Sequence, residues 1–384
     1  MFRRGLGIAL AIIFSGTAAA QTSRAPLGER VDPAAMGIGH SELNPLLNLP
    51  PNYRLISAFG ERPVFSPDGS KIAFIGKSYG DAFELDLRTG VVRNLTAHAP
   101  SNGFLRVHYL PDGSYLLLGP RVPGATADET RFSTIELFWM DAAAKRPPVP
   151  LHRTLFEGVA VAHQGNLIAW SEVTPRASTF AGMKTTRIMT GRVVVSGGSA
   201  SIQQEKNVLT LDAATQCLAE PQDFYPGDTR ITLPCYHYVT KLPDGRLTDV
   251  MSLDLNTSEL TIIPTPAALY GEVEGMFPDG KRTLVECSAN KSSAMDICVL
   301  ELRKDDPSYT RLTHVMDYGR WKFGNPVVSP NGRKIALQVA AIPGAEQIAD
   351  RGAGQGIIII DLPPYRWRRE SGAAAGGPAL PRYR

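Results

Sequence analysis

The sequence predicts an all-β fold made of six repeated units, and three observations support this prediction. First, 36 Gly and 30 Pro among 384 residues favour many turns over long helices. Second, a turn motif of the type Ser-Pro-Asp-Gly recurs between apolar segments. Third, an apolar segment that ends at an acidic residue follows each turn. Because 43% of the residues are hydrophobic and 20% are charged, the chain can bury a sizeable core.

The first twenty residues have the pattern of an export signal. Arg3 and Arg4 precede an apolar run that is too short to cross a bilayer, and small residues follow it up to Ala20. We expect cleavage near Ala20 and a periplasmic mature protein. No other stretch has the length and apolar character of a membrane span. Residues 21–52 form an N-terminal lead-in to the repeated units.

The turn motif sets the positions of the six units. The best preserved copies are Val-Phe-Ser-Pro-Asp-Gly at 64–69 and Val-Val-Ser-Pro-Asn-Gly at 327–332. Pro presets φ at its turn position, and Gly accepts positive φ. The equivalent turn positions are 67, 111, 163, 226, 278 and 330. A spacing of roughly 50 residues is typical of the four-stranded blades of a β-propeller.

A third strand that ends at an acidic residue is the second marker of each unit. These strands are predicted at 83–86, 137–141, 208–212, 251–254, 298–301 and 357–361. Fourth strands are predicted at 91–96, 260–263 and 309–313. Both markers count six units. A further Pro-Asp-Gly sequence at 243–245 is interpreted as a loop inside the fourth unit.

The two ends of the repeat region predict how the ring closes. After Asp361 the chain runs into Pro363 and Pro364, so the sixth unit lacks a fourth strand of its own. The segment Tyr-Arg-Leu-Ile-Ser at 53–57 stands where a fourth strand would precede the first unit. We therefore predict an all-β, six-bladed β-propeller over residues 53–362, closed by an N-terminal strand that hides two sheet edges. Residues 363–384 are predicted to form a disordered tail rich in Arg, Gly and Pro.

The four cysteines would meet an oxidising compartment after export. Four cysteines allow three pairings, and no Cys-x-x-Cys pattern indicates a zinc site. Cys287 and Cys298 lie at the facing ends of two apolar segments joined by a short polar link. They could form a cross-strand disulfide or remain as two buried thiols. We predict the disulfide.

The repeat resembles a known family of propellers. Units of the type Ser-Pro-Asp-Gly-x-x-Ile-Ala-Phe, the Leu-Asp-Leu-x-Thr-Gly strand ends and the Leu-Thr endings are similar to those of the TolB-like family, whose propeller is shared with prolyl oligopeptidases. The resemblance covers residues 53–362. It implies an exported six-bladed propeller, and in TolB the mouth of the channel binds the peptidoglycan-associated lipoprotein. The sequence has too short a lead-in for the α/β domain of TolB, and no Gly-x-Ser-x-Gly elbow of a hydrolase.

Four glutamates share one repeat position, near the start of the first strand of their units. They stand about six residues before the turn position, at Glu61, Glu157, Glu220 and Glu272, and Glu274 lies close by. Because the units repeat around an axis, a shared position predicts an acidic ring at one mouth of the channel. The alternative is that each Glu is solvated or caps a loop.

Two histidines and one long segment are predicted on the same face. His98 and His314 follow the Leu-Thr endings, so they could join the glutamates in holding a cation or could be ordinary loop residues. The segment from Ser171 to Lys206 is predicted to be a long loop between second and third strands. Variation on one face of a regular scaffold indicates a binding side, or an insertion that the fold tolerates.

The leading functional hypothesis is a non-enzymatic exported propeller that binds a protein or a cell-envelope component at the channel mouth. Its ligand-binding residues would be the five glutamates and two histidines named above. The alternatives are a metal-assisted propeller enzyme, such as a polysaccharide lyase or hydrolase, and a scaffolding subunit. We predict a monomer without a cofactor. A net charge of +3 does not favour a nucleic-acid partner.

Overall fold

A computed structural model describes residues 29–30, 36, 44–289, 292, 294–303, 307–319, 321–341 and 354–363. Six antiparallel sheets follow one another along this part of the chain, one for each predicted unit. The all-β, six-bladed propeller is thus confirmed. The predicted signal peptide lies outside the described residues, as does the predicted tail beyond residue 363.

Within each blade the strands pair in chain order, apart from the strand that closes the sixth blade, and the first strands of most neighbouring blades contact one another around the central channel. Two short strands precede the first blade: β1 (Glu29–Arg30) and β2 (Tyr53–Ser57). The first blade contains β3 (Glu61–Phe65), β4 (Lys71–Ile75), β5 (Ala82–Asp86) and β6 (Val92–Asn94). The second contains β7 (Arg106–Tyr109), β8 (Tyr115–Pro120), β9 (Ile135–Met140) and β10 (Val149–Thr154). The third contains β11 (Val159–Val161), β12 (Leu167–Thr174), β13 (Thr185–Ser196) and β14 (Ser199–Asp212).

In the fourth blade the first strand is split into two short pieces that pair with the same neighbour. This blade contains β15 (Leu218–Ala219), β16 (Asp223–Phe224), β17 (Arg230–Tyr236), β18 (Thr248–Asp254) and β19 (Leu260–Pro264). The fifth contains β20 (Leu269–Met276), β21 (Arg282–Ala289), β22 (Asp296–Glu301) and β23 (Ser308–Arg311). The sixth contains β24 (Trp321–Val328), β25 (Lys334–Ala341) and β26 (Gly354–Asp361). Short helical turns lie at Pro45–Leu47, Ala127–Glu129, Thr130–Thr134, Phe180–Gly182 and Val315–Tyr318.

The sixth blade obtains its fourth strand from the N-terminal side of the propeller. β2 pairs antiparallel with β26, with Tyr53 opposite Ile360 and Leu55 opposite Ile358. This pairing confirms the predicted closure. The lead-in also contributes a strand that was not predicted, because β1 pairs with β23 at the outer edge of the fifth blade.

The third blade corrects two expectations. Residues 208–212, predicted as the third strand, are the end of the fourth strand β14, and the third strand is β13. The segment from Ser171 to Lys206 is not a long loop, since most of it belongs to a hairpin that turns at Gly197 and Gly198. Both glycines have positive φ, as a two-residue hairpin turn requires. The many β-branched residues in β13 favour the extended strand. The tight turn at this glycine pair allows β13 and β14 to pair along nearly their whole length.

The core lies between blades. Each pair of adjacent blades encloses its own apolar cluster, for example Ile168, Trp170 and Leu118 between the second and third blades, and Phe74 with Ile359 between the first and the sixth. Every blade therefore buries both of its faces, which explains why the second and third strands are apolar in nearly continuous runs. Burial of such side chains supplies most of the stabilisation, at about 25 cal/mol per Å².

A repeated hydrogen bond explains the Leu-Thr endings of the sequence. The Thr96 hydroxyl donates to Asp81 Oδ1 at 2.8 Å, and the Thr313 hydroxyl donates to Asp296 Oδ1 at 2.8 Å. In both units a buried Thr just after the fourth strand joins an Asp next to the start of the third strand. The bond ties the outer edge of the blade to its middle.

The structure contains two disulfides. Cys287–Cys298 joins β21 to β22, with 5.9 Å between the Cα atoms, and confirms the predicted pair. Cys217–Cys235, whose pairing the sequence left open, joins the segment before β15 to β17. Two buried disulfides fit an exported protein. None of the helices in the described ranges is long and apolar enough to cross a membrane.

We predict that Tyr53→Ala lowers the free energy of unfolding by about 3 kcal/mol or more, because it empties a buried site on the closing strand. Arg54→Ala on the same strand is the matched control. Arg54 pairs with Asp361 at the surface, so its loss should cost less than about 1 kcal/mol. Urea unfolding of both variants measures the difference. Equal stability of the two would show that the closing strand contributes little.

The double substitution Cys287→Ala and Cys298→Ala should lower the free energy of unfolding by about 3 kcal/mol, because the bond closes a short loop in the unfolded chain. Peptide mapping of unreduced, exported protein should find only the pairs Cys217–Cys235 and Cys287–Cys298. Free thiols or a mixed pairing would contradict the disulfide arrangement.

Candidate functional site

A cavity of about 470 Å³ lies at the mouth of the channel, at the end of the propeller where second-to-third-strand connections gather. We name it the mouth cavity. Connections from the second, third, fourth and fifth blades contribute residues to it, including Arg131, Phe180, Tyr238 and Met295. Residues near the start of first strands complete the wall. The mouth cavity therefore combines variable loops with the most regular part of the repeat.

Irregular first strands shape this end of the channel. Pairing between first and second strands shifts register after Glu61, Val273 and Gly324. Arg62 and Asn325, each five residues before its turn position, adopt positive φ, as does Glu157, which is rare for residues other than glycine. Such bulges redirect side chains and often lie beside functional sites.

Three of the four glutamates at the shared repeat position line the mouth cavity: Glu157, Glu220 and Glu272. The fourth, Glu61, is also buried, but it accepts a hydrogen bond from the Ser78 hydroxyl at 2.9 Å and is not part of the cavity wall. The shared position thus brings together the carboxylates of the third, fourth and fifth blades.

The other predicted site residues lie elsewhere. Glu274 is buried deeper in the channel, where burial and the nearby Glu286 carboxylate raise its pKa well above the usual value. His98 is exposed, and His314 lies 3.6 Å from Asp317 through Nδ1. Neither histidine lines the mouth cavity.

Glu220 is the most buried acid of the mouth cavity, with a relative exposure of 1%. Tyr236 donates its hydroxyl to Glu220 Oε1 at 2.8 Å and lies 2.7 Å from Glu272 Oε1, so one hydroxyl bridges two carboxyl groups. Burial, followed by repulsion from Glu157, raises the pKa of Glu220 to about 8. Glu220 is therefore mostly protonated at neutral pH in the unliganded protein.

Gly158 makes room for the Glu220 carboxyl group. A Cβ at position 158 would clash with Glu220 Oε2, so a larger residue would require the Glu220 carboxyl group to shift. Glycine is thus favoured at this position by the close approach of a side chain, and not by its own backbone angles. The neighbouring Glu157 is held by Arg131, whose guanidinium lies 2.8 Å from Glu157 Oε2.

Glu272 belongs to a pair of opposed acids. It stands directly across the sheet from Glu286, and like charges in this arrangement repel. Lys322 from the sixth blade relieves the repulsion, with its Nζ 2.8 Å from Glu286 Oε2. Tyr270 donates a hydrogen bond to Glu272 Oε2. Burial, with the Glu286 charge second, raises the pKa of Glu272.

Aromatic rings form one side of the mouth cavity. Phe180 packs on Tyr238 with 4.9 Å between ring centroids and on Phe132 with 5.2 Å, and Tyr236 stacks on Tyr238 at 5.8 Å. The rings present apolar faces beside the carboxyl groups. This combination can hold a ligand that has an apolar part and a positive group.

Several residues of this site could not be found in the sequence. Arg131, Phe132, Phe180 and Tyr238 lie in connections without a repeat position, so no spacing marks them. Lys322 does lie on a first strand, but its contact with Glu286 is visible only in the folded structure. No group of three or more His, Cys, Asp or Glu side chains in the described ranges could hold a metal ion.

A second cavity of about 430 Å³ lies at the opposite end of the channel. Its wall includes the turn prolines Pro67, Pro111, Pro226, Pro278 and Pro330. His108 also lines it, and burial followed by the Arg106 charge lowers the pKa of this imidazole to about 3. The repeated turns therefore build one end of the channel, and the variable connections build the other.

Gly158→Ala should lower the free energy of unfolding by about 1–3 kcal/mol, because its methyl group would clash with the Glu220 carboxyl group. In the background of Glu220→Ala the same change should cost less than about 1 kcal/mol, because the clashing atoms are gone. Chemical unfolding of the four proteins in this cycle measures the coupling. Additive changes in the free energy of unfolding would show that there is no steric conflict between a side chain at position 158 and Glu220.

Comparison with known proteins finds similarity among solved structures. No protein-family model matches this sequence, and no curated protein matches it significantly. A TolB candidate from Agrobacterium tumefaciens is 14% identical, with a TM-score of 0.48 over 73% of this chain and 96% of its own. An oligogalacturonate lyase in complex with manganese is 13% identical, with a TM-score of 0.48 over 82% of this chain and 94% of its own. A prolyl endopeptidase is 9% identical, with a TM-score of 0.43 over 75% of this chain and 40% of its own.

Proposed function

We propose that this chain is a non-enzymatic, exported β-propeller that binds a protein or another component of the cell envelope through the mouth cavity. The observation that carries the proposal is the convergence of Glu157, Glu220 and Glu272 from three blades beside a wall of aromatic rings. Buried acids with raised pKa values are costly to the free protein, and such groups concentrate at functional sites.

The shape of the mouth cavity supports binding. It is concave, and aromatic and other apolar surface surrounds its charged side chains, an arrangement that is common in ligand sites. The helical turn at Phe180–Gly182 and the connection that holds Tyr238 stand at its rim, where a partner could contact them. The two disulfides support an exported protein, and we place it in the periplasm.

The alternative of a metal-assisted lyase or hydrolase would need several ligands around one ion. The described residues bring no such group together, and His98 and His314 lie away from the mouth cavity. No observation at this site therefore favours the enzymatic alternative over binding.

The triple substitution Glu157→Gln, Glu220→Gln and Glu272→Gln should weaken partner binding by at least about tenfold while the protein stays folded, since each change keeps the side-chain shape. The matched control replaces three acids outside the mouth cavity by Gln: Glu205 on the fourth strand of the third blade, Glu259 in the connection before β19, and Glu301 at the end of β22. Envelope extracts are passed over the immobilised parent, mouth variant and control, with circular dichroism to verify folding.

A partner retained by the parent and by the control, but lost by the mouth variant, is the expected result. Retention of the same partners by all three proteins would contradict the proposal, because binding would then use another surface.

A further inference from the structure

Acidic side chains outnumber basic ones in the wall of the mouth cavity. Its wall contains four acidic side chains, Asp128, Glu157, Glu220 and Glu272, and two cationic ones, Arg131 and Lys322. Both cations already contact carboxylates, Arg131 at Glu157 and Lys322 at Glu286. A ligand with a positive group would therefore complement the cavity, whereas an anion would meet repulsion.

One carboxyl oxygen in this wall has an unused hydrogen-bonding capacity. Glu220 Oε2 is buried and has no hydrogen-bond partner among the described residues, while Oε1 of the same group accepts from Tyr236. Burial of a carboxyl group that has one unpartnered oxygen is unfavourable, so Glu220 would gain from a donor that a ligand brings to its carboxyl group. The unpartnered oxygen is a property of Glu220 alone and does not depend on the clustering of the acids.

The aromatic wall beside Glu220 suits an organic cation better than a metal ion. The Tyr236 ring carries the hydroxyl that reaches Glu220, and Tyr238 and Phe180 continue the wall from it. Ammonium and guanidinium groups are attracted to the faces of such rings, and their apolar stems pack against the edges. A divalent metal ion would instead require several oxygen or nitrogen ligands.

We propose that the mouth cavity binds a basic side chain of its partner, a guanidinium or a primary ammonium group on an apolar stem, with Glu220 as its counter-ion and the Tyr236, Tyr238 and Phe180 rings as its walls. This inference rests on the proposed function and deepens it, because it names the chemistry that the partner presents. The buried acids of the free protein then become favourable contacts in the complex.

The proposal predicts a dependence on pH. Glu220 faces the carboxyl groups of Glu157, Glu272 and Glu274, the guanidinium of Arg106 and the hydroxyl of Tyr236. With its pKa raised to about 8, Glu220 carries a proton at pH 6 and loses it above pH 8. A cation binds the ionised form, so affinity should rise as the pH rises through that range. Arginine and lysine side chains keep their charge up to about pH 9.

The experiment uses three peptides as probes: acetyl-Gly-Arg-Gly-amide, acetyl-Gly-Lys-Gly-amide and the neutral isostere acetyl-Gly-citrulline-Gly-amide. Binding to the full chain is measured by titration calorimetry at pH 6 and pH 9. The arginine and lysine peptides should bind at least about tenfold more tightly than the citrulline peptide at pH 9, and their own affinity should rise by about tenfold or more from pH 6 to pH 9.

Glu220→Gln is the first test variant, and it should remove both the preference for charge and the pH dependence. Because Glu220 is protonated in the free protein at neutral pH, the Gln variant should keep the fold, which its melting temperature verifies. Phe180→Ala, on a partly exposed helical turn, is the second variant and should weaken the arginine and lysine peptides by several fold.

Equal affinity for the arginine and citrulline peptides, no binding of any peptide, or an unchanged charge preference in Glu220→Gln would overturn the inference. Failure of the inference can be told apart from failure of the proposed function. If the mouth variant loses its envelope partner while the peptides show no charge preference, the mouth cavity binds a partner of another chemistry. If the peptides behave as expected while the mouth variant keeps all partners, the proposed function fails.

Discussion

Pairing of the strand at residues 53–57 with the strand at Gly354–Asp361 is the interaction on which the rest of the structure depends. It joins segments about three hundred positions apart in sequence and turns a row of sheets into a ring. Only in a ring does each blade have two neighbours, so that both of its faces can be buried. The first and sixth blades share an apolar cluster that includes Phe74 and Ile359 because of this closure.

Closure also has a consequence for the channel. It brings the first strands of all blades to one axis, where side chains at equivalent positions meet whether or not their charges are compatible. Specific contacts offset the repulsion between these acids. Arg131 pairs with Glu157, Lys322 pairs with Glu286, and the Tyr236 hydroxyl lies between Glu220 and Glu272. Glu220 is the least compensated of these acids, because only one of its two carboxyl oxygens has a hydrogen-bond partner among the described residues.

The two ends of the channel differ because they are built from different parts of the repeat. Turns with a nearly constant sequence surround one end, and connections that vary in length and sequence surround the other. The turns, the Asp–Thr hydrogen bonds and the clusters between blades therefore stabilise the scaffold. The mouth cavity is shaped by residues of connections that the fold does not constrain.

The sequence by itself determined the number of blades, the closing strand and the Cys287–Cys298 pair, because each rests on local patterns or on a repeated spacing. The same spacing identified Glu157, Glu220 and Glu272, since symmetry turns a shared position into a shared place. Only the tertiary structure decided that Glu61 stands apart and that residues 185–212 form a hairpin. It alone decided which aromatic and basic side chains join the acids, because loop residues meet through folding and have no period in the sequence.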